Sequence, residues 1–217
     1  MEIADGAAGE PAELSLTTDQ LAAAALAVVD RSGLAGLSMR TVGGELGMST
    51  MGLYRYVADR DELERLVVDR VFDAVDVRPP AEGPWERQVE DLVGRVRNAF
   101  AEHPAVVALT LVHRHRSPGA LRWAETLLAV LSDAGFTDRE RLIALRALFS
   151  YLVGALQLEH LGPLAGAGTR ELAGLPPDEF PHTTANARYA QGVTADEEFT
   201  EGLRMLLRGL SPTPRDP

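Results

Sequence analysis

The chain lacks both cysteine and lysine. Without thiols there is no disulfide and no thiolate metal centre, and a reducing cytoplasmic setting is expected. Without lysine, every guanidinium or ammonium charge on a side chain is an arginine. Together with abundant Ala and Gly, this points to a GC-rich genome and carries no functional meaning. Uninterrupted apolar runs stay short of the roughly 18 residues that a membrane span needs. The acidic opening MEIADGAAGEPAEL is unlike a secretory signal. Signatures of catalysis are missing too: there is no Gly-Lys-Ser/Thr phosphate loop, no Gly-x-Gly-x-x-Gly and no Gly-x-Ser-x-Gly. The stretch GPLAGAG is Gly-rich but has no strand–helix context. No strand pattern, internal repeat or low-complexity tract is evident, so a soluble protein without cofactor or metal, and not an enzyme, is expected.

What is present is a chain of 217 residues, 46% apolar, with a net charge of −11. The apolar content suffices for a substantial core. The acidity disfavours indiscriminate binding to polyanions. It does not exclude DNA, because only the contact face must be basic.

Helical periodicity runs through the chain. Residues 1–16 read as a disordered tail. LTTDQLAAAALAVVDRSG places Leu21, Ala25, Val28 and Val29 on one face, with Thr17 or Thr18 as cap and Gly33 as a left-handed stop. Ser38 caps the next short helix, with Val42 and Leu46 on one face, until Gly47 interrupts it. Ser49 caps a second helix of under two turns through TMGLYRY, whose inner face carries Leu53 and Val57. Two short helices joined at Gly47-Met48 make a helix-turn-helix, the second helix of which enters a major groove. Asp59 caps a fourth helix, with Leu63, Leu66, Val67, Arg70, Val71 and Ala74 at spacings of three and four.

The Pro/Gly-rich stretch 76–84 reads as a linker, and Pro84 suits the first turn of the next helix. On that helix Val89, Leu92, Val93, Val96 and Phe100 form one stripe, broken at His103-Pro104. A shorter segment reaches about Arg114, and a further helix stops at Gly135. The helix over 138–160 is apolar nearly all round and should be covered on two sides. The segment 162–181 reads as loop. A last helix, 196–210, carries Phe199, Leu203, Leu206, Leu207 and Leu210 on one face.

These residues resemble the DNA-binding domain of the tetracycline-repressor (TetR) family. The resemblance is carried by Gly33…Gly36-Leu37-Ser38, by the turn Leu46-Gly47-Met48-Ser49, by Leu53-Tyr54-Arg55-Tyr56-Val57, and by Arg60 leading into Leu63. The order of Trp85, His103, the AGF stop and the ending FPHTTANARYAQGVTADEEFTEGLRMLLRGL is similar to the C-terminal domain of the tetracycline-repressor subclass. The resemblance implies an all-α fold, with a three-helix DNA-binding domain over 17–76 and a ligand-binding and dimerisation domain over 84–211. It implies a homodimer that binds a palindromic operator, most simply as a repressor, and that a small molecule releases. An all-helical binding protein that keeps the helix-turn-helix as scaffold is the other reading.

For DNA contact the residues offer distinct chemistries. Thr50 and Met51 bring a hydroxyl and a thioether to base edges, and Gly52 allows close approach. Tyr54 and Tyr56 offer O–H groups to phosphates, beside the helix N-terminus with Ser38 and Ser49. Arg40 suits a guanine edge or a phosphate. Arg60 stands where the family places a basic phosphate contact. Tyr54 also fits a core aromatic, Met51 a gap-filler, and Arg55 a solvated or ion-paired side chain rather than a base reader.

For a ligand, Leu92, Val96, Phe100, Trp123, Leu127, Phe149 and Gln157 lie on helices that would surround a pocket. Each reads as core before it reads as contact. Leu92, Leu127 and Leu158 match positions where the founding member of the family uses polar groups for a metal–tetracycline complex. Their hydrocarbon side chains imply a more apolar effector. His113 and His115 in HRHR are two apart, the wrong spacing for one helical face, and read as a polar helix end. The helices near 138–160 and 196–210 are the expected dimer pair, setting recognition helices roughly 34–36 Å apart.

Overall fold

A computed structural model describes residues 16–79 and 82–212. Most of the expected tail, residues 1–15, and Pro80-Ala81 of the expected linker lie outside the described residues. Leu16, the last residue of that tail, packs partly buried against the core. Eleven α-helices and no strand occur among the described residues. The first four are α1 (Thr18–Gly36), α2 (Met39–Glu45), α3 (Thr50–Leu53) and α4 (Arg60–Asp73). After the linker come α5 (Trp85–Ala101), α6 (Val107–His113), α7 (Pro118–Asp133), α8 (Asp138–Leu161), α9 (Ala167–Ala173), α10 (Pro181–Ala190) and α11 (Ala195–Gly209). Single 3₁₀ turns at Pro104–Val106 and Arg114–Arg116 flank α6.

Local chemistry sets the ends. Thr17 and Gln20 close a capping box at α1, as do Thr137 with Glu140 at α8 and Thr194 with Glu197 at α11. Each satisfies backbone donors that the first turn leaves free. Gly33 has φ +66, so the regular part of α1 stops there and Leu34–Gly36 form a separate turn. Gly135 (φ +93) follows α7 in the same way. Pro84 stands at the N-cap of α5, one position earlier than a first-turn placement.

One continuous core joins the two parts of the chain. In the N-terminal part it gathers Leu21, Val28, Val42, Leu53, Val57 and Leu63; in the C-terminal part it runs through α5, α7 and α8. Helix α4 is buried on a wider arc than its spacing suggests, with Val68 and Phe72 buried beside Leu63 and Leu66. Of its expected inner face, Arg70 is half-buried and paired with Asp19 (2.8 Å), and Ala74 is exposed. The described part of the linker is tethered. The Arg95 guanidinium on α5 donates to the carbonyls of Asp76 (2.8 Å) and Arg78 (2.9 Å). The Arg78 guanidinium in turn holds the Asp76 carboxyl well below the usual carboxylate range, chiefly by hydrogen bonding.

Three expectations need correcting. The segment 162–181 is not wholly loop, because it contains α9. Gly166 stands at the N-cap and Gly174 at the C-cap; Gly168 lies inside the first turn, and Ala167, Arg170, Glu171, Leu172 and Ala173 are good helix formers. Helix α10 follows after the turns of residues 174–180. Helix α8 is covered within the chain on one side only. Ala144, Leu148, Leu152 and Leu156 are buried, whereas Leu142, Ile143, Leu158 and Leu161 are exposed. Finally, α8 is long and apolar enough to cross a membrane by length and composition, with a mean hydropathy of 1.4. Counting uninterrupted runs missed it because Arg141 and Arg146 punctuate the segment. Only 22% of that apolar window is buried in the chain, so much of α8 needs some other cover.

A candidate nucleic-acid interface and an apolar cavity

The helix-turn-helix is built from caps and one left-handed glycine. Ser38 Oγ accepts from the Thr41 amide (3.1 Å), and Ser49 Oγ accepts from the Gly52 amide (3.0 Å). Gly47 has φ +67, which a side chain would oppose. Gly43, which spacing alone did not single out, brings the helices together. Its carbonyl accepts from the Met48 amide (2.9 Å), and a Cβ there would stand 3.0 Å from the Met48 carbonyl oxygen. The adjacent glycines 43 and 44 were the available signal. Helix α3 itself is four residues long, and hydrogen-bonded turns carry the chain on through Tyr56 to Val57.

This frame sorts the side chains cleanly. Leu53 and Val57 are fully buried, an anchorage worth about 1.5–3 kcal/mol per side chain. Met51 is 76% exposed, so it fills no gap. Tyr54 and Tyr56 are exposed, so neither is a core aromatic. Thr50 and Gly52 are half-buried on the same turn. The hydroxyls of Ser38 and Ser49 are occupied as caps. Arg40 and Arg55 are exposed and have no ion pair among the described residues. Arg60 is engaged: its Nε lies 2.8 Å from Glu64, and its guanidinium donates to the Leu34 carbonyl (3.0 Å).

The local charge is also better balanced than a count over residues 34–60 suggests. Glu45 on α2 pairs with Arg31 of α1 at 2.6 Å, and that hydrogen bond lowers the carboxyl pKa and raises that of the guanidinium. Asp59 spends its carboxylate on the Glu62 amide (2.9 Å) as the α4 cap. The partner that quiets Glu45 lies 14 residues away, out of reach of short-range pattern reading.

Behind the head, α4 is clasped by the C-terminal part. His113 at the end of α6 is fully buried and lies 3.2 Å from the Glu64 carboxylate. Arg116 pairs with Asp61 at 2.9 Å. Glu64 therefore joins Arg60, at the start of α4, to His113 at the end of α6. Gly119 of α7 presses against Phe72, where a Cβ would stand 2.6 Å from the Phe72 Cβ. HRHR is thus no simple polar helix end: its first histidine is a buried link and its second is exposed. Among the described residues no group of three His, Asp or Glu could hold a metal ion.

The expected ligand residues separate into two sets. Trp123 and Phe149 meet at a cavity of about 190 Å³, together with Phe72, Leu145 and Ala124. Its remaining walls include Arg114, His115 and Arg146. Leu92, Val96, Phe100 and Leu127 are sealed in the core. Phe100 stacks edge-on against Phe72 with centroids 5.0 Å apart, so it backs the cavity from behind. Gln157 is half-buried on α8, two turns beyond Phe149. Leu158 is exposed. The cavity was legible only in part because its parts come from four separate elements.

A buried arginine escaped sequence reasoning. Arg97 on α5 is buried and pairs with Asp196 (2.9 Å) and Glu159 (3.2 Å), with its guanidinium 4.7 Å from the Phe199 ring centre. It ties α5 to α8 and α11. Its position within the apolar stripe of α5 was the signal, since a charge facing a core needs partners there.

The family model for the tetracyclin repressor-like C-terminal domain matches residues 79–213. The HTH-type transcriptional repressor DrrR1 of Streptomyces coeruleorubidus is 34% identical over 148 residues, 65% of this chain and 53% of that protein. The chain thus spans about half of DrrR1. An HTH-type transcriptional regulator of Saccharopolyspora erythraea is 30% identical over 205 residues, 91% of this chain and 86% of that protein. Among solved structures, the Streptomyces coelicolor TetR family protein ActR in complex with actinorhodin superposes with a TM-score of 0.79 at 28% identity. That superposition covers 91% of this chain and 96% of ActR.

Proposed function

The chain belongs to the tetracycline repressor-like (TetR) family of helix-turn-helix transcriptional regulators, and we propose that within it this protein is a repressor released by a small, largely apolar organic effector. Family members bind operator DNA as dimers and carry small-molecule sites. The finer assignments here are that residues 17–76 form the DNA-binding domain and 84–211 the effector and dimerisation domain, acting in the cytoplasm and not as an enzyme.

The observation that carries the reading is the sorting on the capped helix-turn-helix. Leu53 and Val57 are buried beneath it, Met51, Tyr54 and Tyr56 are exposed, and Arg40 and Arg55 are unpaired. Thr50, Met51 and Gly52 face base edges. Tyr54, Tyr56 and Arg40 hold phosphates, and Ser38 and Ser49 set the helix ends that approach the backbone. Arg60 contributes by donating to the Leu34 carbonyl, which ties the end of α1 to α4, while Glu64 on the next turn holds the guanidinium in place.

Two copies meet through the exposed face of α8 and through α11, which together cover Ile143, Leu158, Leu161 and Met205. That the similar protein ActR is solved in complex with actinorhodin supports a small-molecule effector. In this chain the cavity that contains Trp123 and Phe149 is the site, with Leu92, Val96, Phe100 and Leu127 as its packed support and Gln157 further along α8. An effector seated against Phe72 bears directly on α4. The pairs His113–Glu64 and Arg116–Asp61 couple α4 to the body, and the bond from Arg60 to the Leu34 carbonyl carries a shift of α4 to the head, so that two heads no longer match successive grooves.

A gel-shift with the DNA flanking its own gene tests the reading. A salt-sensitive complex of dimer with a palindrome is expected. A folded dimer that forms no salt-sensitive complex with any such site would sink the regulator reading and leave a binding protein with a vestigial helix-turn-helix.

A further inference from the structure

The permanently charged groups lining the cavity are all cationic. Arg114, His115 and Arg146 line it and no carboxylate does, in a chain of net charge −11. None of the three has an ion pair among the described residues. The Arg146 side chain is exposed and makes no hydrogen bond within the described chain. Arg114 donates one nitrogen to the Leu111 carbonyl, and its guanidinium sits 4.8 Å from the Phe149 ring centre. The walls deeper in offer ring faces and aliphatic carbon: Phe72, Trp123, Phe149 and Leu145. Trp123 offers only its ring, because its indole N–H is already donated to the Leu92 carbonyl (2.9 Å).

These facts constrain what can enter. A polar atom deep in the cavity would find no free donor and would lose its hydration without replacement. A flat apolar body finds three aromatic rings, Phe72, Trp123 and Phe149, among the walls. The volume of about 190 Å³ holds a ring with a short substituent, given that an apolar cavity of roughly 150 Å³ takes benzene. Polar groups of the ligand must therefore emerge beside Arg114 and Arg146. A carboxylate there meets two guanidiniums without displacing an existing acid partner, the strongest class of hydrogen bond available.

Resting on the effector reading above, we propose that the effector is an aromatic acid, its ring held among Phe72, Trp123 and Phe149 and its carboxylate at Arg114 and Arg146. Arg146 stands at the edge of the exposed apolar face of α8, four residues after Leu142 and three after Ile143, where it borders both that face and the cavity.

The test titrates phenylacetate and its neutral counterpart phenylacetamide into the full-length dimer by calorimetry. Phenylacetate should bind at least about tenfold more tightly than the amide. Arg146→Gln should erase most of that preference by weakening the acid far more than the amide. Ala124→Trp, which fills the cavity, should weaken both probes severely. Equal affinities, no binding of either probe, a preference that survives Arg146→Gln, or undiminished binding in Ala124→Trp would each overturn the proposal. The Arg146→Gln arm stands even if Ala124→Trp fails to fold, since Arg146 is exposed and unpartnered. Operator binding by the same sample without probe tests the regulator reading separately. Intact operator binding with no preference for the acid sinks only the aromatic acid.

Discussion

The reading head and the cavity differ in how far apart in the chain their parts lie. The head is assembled within residues 38–57, each turn set by a cap or glycine a few positions away. The cavity draws on α4, the turn after α6, α7 and α8, from Phe72 to Phe149. The head is therefore specified by local conformational preference and anchored by two buried side chains. The cavity is specified by how four elements pack, and its walls mean nothing until they meet. In both regions arginines stand without acid partners, but in the head they project from a polar surface, whereas in the cavity they ring an apolar interior.

The sharpest way to break this contrast is Leu53→Ala. Removing this fully buried side chain should cost about 2–5 kcal/mol. The loss should appear in thermal unfolding and as lost operator binding, with the cavity's own ligand binding spared. An effect below about 1 kcal/mol would mean that the head is not held from beneath.

Gly119→Val probes the seam between the two regions. Its Cβ would meet Phe72 at 2.6 Å, against side-chain and backbone atoms that have little room to move. Overpacking of this kind should cost about 1–3 kcal/mol and weaken the effector's influence on DNA binding more than either binding step alone. Unchanged coupling in this variant would rule out the α4–α7 contact as the transmitter.

Gly47→Ala isolates backbone preference in the head. Nothing lies within 4 Å of a Cβ there, so its φ of +67 is the only obstacle, and about 1–2 kcal/mol should be lost. The control is Gly44→Ala, in the helical part of α2 with equally open space. That change should stabilise by about 0.5–1 kcal/mol in denaturant titration. Equal effects from the two substitutions would show that the turn does not depend on the left-handed glycine.

Arg40→Ala should have the smallest effect on the folded chain, because the side chain is exposed and unpaired. Its effect should fall on DNA alone, lowering the slope of log affinity against log salt by about one. An unchanged slope would remove Arg40 from the phosphate contacts.

What was legible in the sequence divides along the same line. Thr17, Ser38, Ser49 and Asp59 cap the helices expected of them, because a cap acts on an amide three residues on. Leu53 and Val57 were legible as anchors because their spacing of four is a local property of one helical turn. Helix α9 was missed because glycines and prolines at its boundaries outweighed seven residues of moderate helix propensity. His113 was misread because spacing places a histidine on a face but does not show that Glu64, 49 residues earlier, waits opposite. Four of the seven expected ligand residues belong to the sealed core, because an apolar stripe looks the same in sequence whether it faces a cavity or another helix.

By itself the sequence determined the helices, the short helix-turn-helix and its exposed polar face, because caps, positive-φ glycines and amphipathic spacing act within a few residues. Only the tertiary structure decided that Glu45 is neutralised by Arg31, that Glu64 joins Arg60 to His113, and that Trp123 and Phe149 share a cavity with three basic groups. Those facts depend on distances between residues far apart in the chain, and packing brings them within the few ångströms over which charge and ring contacts act.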